Sequence, residues 1–135
     1  MDRRIAAETY KKTEGHAFEA MTDPHQIIST MLDALLKSMT IFVENIDIVR
    51  GGDAEMRSKH FSRALTIIYA LQSSLDFEKG GDIATNLFQL YEYARQQLIK
   101  DLTAGRVKQT ATAITALTEI KTAWDSISAE VSNAR

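Results

Sequence analysis

The chain has 135 residues, no cysteine, and 44% apolar against 25% charged side chains at a formal net charge of −2. That length and balance suit one globular domain and argue against disorder over most of the chain, and the missing cysteines exclude a disulfide framework and thiol chemistry. Acidic and basic residues are interspersed at a net charge of −2, unlike a nucleic-acid binder, whose affinity needs a basic face to displace counterions; the first twenty residues lack the apolar core of a signal peptide, and no unbroken apolar run approaches the ~20 residues that span a bilayer.

In chain order, residues 1–22 carry charges, Gly15 and scattered apolar residues, and are expected to form a partly ordered N-terminal arm. Residues 23–135 are expected to form the domain proper. Its first helix opens at Asp23-Pro24-His25-Gln26, with Asp23 as N-cap, Pro24 at the first helical position and Gln26 completing a capping box. It runs to Gly51 and carries more apolar residues than the three in seven that a bundle helix buries. The second opens at Asp53, with Glu55 in its first turn, and stops near Phe77. Its apolar residues Phe61, Ala64, Leu65, Ile68, Leu71 and Leu75 recur at steps of three and four. The third opens at Asp82, after Gly80-Gly81, and stops at Gly105, with Ile83, Leu87, Leu90, Tyr91, Ala94 and Leu98 in its stripe. The fourth begins near Arg106 or Val107 without a strong side-chain cap and frays near Ser132; its stripe, from Val107 through Trp124 to Val131, drifts toward a seven-residue repeat. No segment alternates with period two. Four helices of similar length with short connections predict an all-α fold, an antiparallel four-helix bundle.

Chemistry is hard to find in this pattern. His16 lies in the arm, His25 in the first turn of the first helix and His60 on the polar side of the second, and all three read as surface histidines. No Glu-x-x-His pair or zinc spacing occurs. Ser73-Ser74 has Asp76 but no histidine nearby, which suits local hydrogen bonding at a helix end rather than nucleophilic catalysis. Gly80-Gly81 lacks the spacing of a phosphate loop and reads as a helix end. No enzyme, cofactor or metal is expected. Ile67 and Tyr69 flank the stripe of the second helix, and Phe88 and Ile99 lie roughly 100° off that of the third. Such surplus apolar surface is either ordinary exposure or a groove for a partner helix.

The stretch Leu71-Gln72-Ser73-Ser74-Leu75-Asp76-Phe77-Glu78-Lys79-Gly80-Gly81-Asp82-Ile83-Ala84 resembles the central signature of the flagellar export chaperone family FliS, and the match continues through Asn86-Leu87 and Leu90-Tyr91. Pro24-His25-Gln26-Ile27-Ile28 is similar to the family's opening of its first long helix, Trp124 falls where the family carries a tryptophan, and Tyr10 resembles its N-terminal tyrosine. The chain departs from the family at Met31-Leu32-Asp33-Ala34, where Leu-Tyr-Asp-Gly is usual, and at Asp23, where a serine usually precedes the proline. The resemblance implies a cytoplasmic chaperone that binds the disordered C-terminal segment of flagellin, prevents premature polymerisation and presents it to the flagellar export gate. It also implies helix-in-groove binding, for which Ile67, Leu71, Leu75, Ile83, Leu87, Phe88 and Tyr91 are the candidate residues, with Tyr10 in an arm that covers the groove. No nucleic acid and no membrane insertion are implied. The alternative is a helical regulatory or structural module that forms a homodimer through the same apolar surface.

Overall fold

A computed structural model describes residues 23–134, with side chains described as far as Ile127; the expected arm, with Tyr10 and His16, lies outside the described residues. Among the described residues there are four helices and no strand. They are α1 (Pro24–Asn45), α2 (Ala54–Ser73), α3 (Phe77–Ala104) and α4 (Thr110–Ala134). α1 packs against α2 and α4, and α3 against the same two helices. With short connections this closes an up-down-up-down ring, the expected antiparallel four-helix bundle.

The first two helix starts are written locally. Asp23 Oδ1 accepts from the His25 N–H at 3.0 Å, with proline in the first turn. Asp53 Oδ1 accepts from the N–H groups of Glu55 and Met56. These bonds satisfy donors that a helix start otherwise leaves unpaired. The ends differ from the sequence reading. α1 stops at Asn45, not Gly51, and Ile46 to Asp53 form a looped connection in which the Asn45 amide accepts from the Asp53 N–H. α3 opens at Phe77, not Asp82, because Asp76 caps it by accepting from the Lys79 N–H at 3.0 Å. It then runs through Gly80-Gly81 with a break at Gly81, so the glycine pair interrupts a helix rather than ending one.

The start of α4 does have a cap, supplied from α3. Asp101 Oδ2 accepts from the backbone N–H groups of Lys108, Gln109 and Thr110 at 3.0, 3.2 and 2.9 Å. Helix α4 therefore begins at Thr110, later than Arg106 or Val107.

The core is a column of side chains from all four helices: Leu32, Leu35, Met39 and Phe42 of α1, Ala64, Ile68 and Leu71 of α2, Tyr91, Ala94 and Leu98 of α3, and Ala113 and Leu117 of α4. The α1 set continues to Ile46 in alternating steps of three and four, the seven-residue pattern that keeps one seam facing its neighbours in a shallow left-handed crossing. Each fully buried leucine, isoleucine or phenylalanine contributes about 1.5–3 kcal/mol relative to exposure. By length and mean composition α1 is apolar enough to cross a membrane, although polar residues interrupt it throughout. Here Leu32, Leu35, Met39 and Phe42 spend that apolarity on the bundle interior.

His60 also corrects the sequence reading. It is 5% exposed, at the α1–α2 interface, with Nδ1 3.3 Å from Ser38 Oγ. Burial, together with Lys59, Arg63 and Lys37, lowers its pKa and favours the neutral ring.

Candidate functional site

An apolar cavity of about 340 Å³ lies where α1, α3 and α4 meet the α2–α3 turn. Ile28 and Leu32 of α1 form one wall, and Ile120 and Trp124 of α4 another. Leu75 lies in the turn, and Ile83, Leu87 and Tyr91 of α3 complete the lining with Ala84 and Gly80. These α3 residues fall at steps of four, which puts them on one helix face. Tyr91 is buried, and burial pushes its phenol upward. Ile83 is 71% exposed, so the cavity opens to solvent beside it. Asp76 and Lys79 are the charged lining residues. An apolar cavity of ~150 Å³ holds one benzene, so this one has room for roughly two large apolar side chains.

The α1–α4 wall is fixed by directional contacts. The Trp124 ring stacks on His25 with centroids 4.2 Å apart and planes at 5°, and Trp124 Nε1 donates to the His25 carbonyl at 3.0 Å. One turn further, Ser29 Oγ donates to Asp125 Oδ1 at 2.7 Å. Lys121 Nζ bridges Asp33, at 3.1 Å, and Asp125. Hydrogen bonds from Lys121 and then Ser29 hold Asp125 below the ordinary carboxylate range, and those to Asp125 and Asp33 raise Lys121. His25 is thus a half-buried stacking partner rather than the surface histidine read from sequence.

Of the groove residues read from sequence, the structure brings Leu75, Ile83, Leu87 and Tyr91 together around the cavity. Leu71 is 1% exposed within the core column, and Ile67 packs half-buried against that column; neither lines the cavity. Phe88 also lies outside it and pairs with Phe77, ring centroids 6.0 Å apart. Tyr10 falls outside the described residues. The groove list omitted the α1 and α4 walls, Ile28, Leu32, Ile120 and Trp124. Their signals were present: Trp124 is the single tryptophan of the chain, and both Ile28 and Trp124 lie in the stretches that resemble the FliS family.

Residues 6–131 match the family described as flagellar protein FliS. The chain belongs to the FliS family. Relatives carry the same designation: the flagellar secretion chaperone FliS of Salmonella typhimurium is 36% identical over 117 residues, covering 81% of this chain and 79% of its own. That of Vibrio cholerae serotype O1 is 28% identical over 130 residues, covering 96% and 93%, and the FliSB protein of Pseudomonas aeruginosa is 28% identical over 127 residues, covering 91% and 95%. The FliS match spans every lining residue of the cavity.

Proposed function

We propose that this chain is a flagellar secretion chaperone, not an enzyme, and that it holds the C-terminal segment of flagellin in the cytoplasm by seating apolar side chains of that segment in the cavity beside Trp124. Family membership supports the chaperone role. The single observation that supports the site is an open, apolar cavity with room for about two large side chains, the demand of a helix presenting anchors one turn apart. Covering such anchors keeps an unfolded flagellin segment from associating early. The cargo is ordered on binding at a cost of about 2–5 kcal/mol or more, which keeps affinity moderate and permits release at the export gate without a covalent step.

Trp124 makes the test direct, because the only tryptophan of the chain lines the cavity. Titration with a tryptophan-free peptide from the flagellin C-terminus should give a 1:1 complex by calorimetry and a blue-shifted Trp124 emission. Ile83→Asp, at the exposed rim, should weaken that binding at least about tenfold, since a carboxylate would have to be desolvated against an apolar ligand. A peptide that binds without changing Trp124 emission and is indifferent to Ile83→Asp would refute the cavity as the site. A flagellin-independent dimer in size exclusion, with no flagellin complex, would instead favour the homodimerising module.

A further inference from the structure

Phe77 and Phe88 are 49% and 38% exposed, yet their rings lie 6.0 Å apart and tilted by 58°. In an unbroken helix these residues would share a face but stand about 16 Å apart along the axis, since eleven residues rise about three turns. Both side chains would lean the same way, toward the helix N-terminus, so their separation would not shrink. The rings therefore meet only because α3 breaks at Gly81, where φ is 50° and ψ −124°, a conformation open to glycine and strained for other residues. Before the break stands one capped turn, with the Gly80 N–H donating to the Asp76 carbonyl at 2.8 Å and the Lys79 N–H to the Asp76 side chain. Lys79 and Gly80 of that turn line the cavity from one side of the break, and Ile83, Leu87 and Tyr91 line it from the other.

We propose that the turn Phe77–Gly80 is a hinged flap forming one wall of the cavity, with Gly81 as its pivot and the exposed Phe77–Phe88 pair as the latch that holds it in place. Phe88 is then a positioning residue, acting on whatever fills the cavity through the flap rather than by contact. A single exposed aromatic pair is a weak latch, so its loss should raise the open population by roughly two- to tenfold. The flap itself does not depend on the identity of the cargo; its effect on flagellin binding rests on the reading given above.

Amide hydrogen exchange on the full-length protein tests the latch, comparing the natural chain with Phe88→Ala and Phe88→Tyr. Phe88→Ala should speed exchange about two- to tenfold across residues 78–83 and leave α1 and α2 unchanged, and Phe88→Tyr, which keeps a ring, should restore the natural rates. The flagellin C-terminal peptide should bind Phe88→Ala more weakly, in proportion to the drop in the fraction of molecules with the wall formed. Unchanged exchange at residues 78–83, or a rise spread evenly over all four helices, overturns the latch. Local exchange that responds as stated while no variant, nor the natural chain, binds the peptide upholds the latch and sinks the flagellin reading instead.

Discussion

One carboxylate ties the end of α3 to the start of α4. Burial alone would raise the Asp101 pKa, but the N–H groups of Lys108, Thr110 and Gln109, with the nearby Thr110 hydroxyl, outweigh it and hold the acid below its ordinary value of 3.8. Asp101 Oδ1 and Thr110 Oγ1 are both buried without a normally formed hydrogen bond among the described residues, so the three backbone donors carry the effect. A carboxyl lowered in this way stabilises the fold in full above the unfolded value, near pH 4, and loses that contribution as pH falls through the lower native value. Asp101→Ala should cost about 2–4 kcal/mol at pH 7 by urea unfolding, since it removes a cap and strands buried donors. The variant should also lose less stability than the natural chain on acidification below about pH 4. His60 acts in the same direction on the pH axis, in a window closer to neutral. Its folded pKa is lowered by burial, by Lys59 and Arg63 of its own helix and by Lys37 of α1. Stability is therefore full above the unfolded value of 6.5 and declines as pH drops through it, levelling off below the lowered native value. His60→Gln keeps an amide for Ser38 and should abolish that decline in urea midpoints measured between pH 7.5 and 5; a variant with an undiminished decline would assign it elsewhere.

At the scale of the element, the break in α3 reverses an ordinary expectation. Replacing a glycine in a regular helix by alanine stabilises by up to about 1 kcal/mol. Here Gly81→Ala should instead destabilise by about 1–3 kcal/mol, because the positive φ is strained for a residue with a Cβ; thermal unfolding checks the sign. A Cβ on Gly80 would also sit 2.8 Å from that of Ala84. This region shows where sequence reading succeeds and fails. Asp23 and Asp53 announce their helices because a cap and the donors it satisfies lie within three residues of each other. The glycine pair was misread because Asp76, four residues before Gly80, caps a turn that precedes it and lets the helix resume. The cap of α4 was illegible because Asp101 reaches N–H groups seven to nine residues ahead, across a connection. His60 falls off the apolar stripe and is buried all the same, as Ser38 on another helix meets it. Of the cavity, the α3 face was readable from its four-residue steps. The opposing faces of α1 and α4 depend on which helices become neighbours, which periodicity within one helix does not encode.

For the whole molecule, the cavity lies close to the point where the described chain begins. Asp23 caps α1 two residues before His25, whose ring stacks on Trp124 of the cavity wall. The described chain therefore begins, at Asp23, beside the rim of the site. Twelve residues lie between Tyr10 and Asp23, and extended chain covers up to about 3.3–3.6 Å per residue, so Tyr10 is within covalent reach of the opening. An arm that places Tyr10 over the cavity competes with cargo and lowers apparent affinity in proportion to the fraction of molecules left open. If it covers the site nine-tenths of the time, removing it tightens binding about tenfold, a shift of about 1.4 kcal/mol. Deleting residues 1–18 leaves the Asp23 cap and every lining residue intact, so the bundle should keep its unfolding midpoint while the flagellin C-terminal peptide binds more tightly by calorimetry. Tyr10→Ala should give part of the same gain if the phenol is the group that enters. Unchanged or weaker affinity after the deletion would rule out competition and leave the arm as a further contact for cargo rather than a cover. The two outcomes also differ in Trp124 emission before any peptide is added: a covering arm shields the ring from water, so its removal should shift the emission of the free protein to the red.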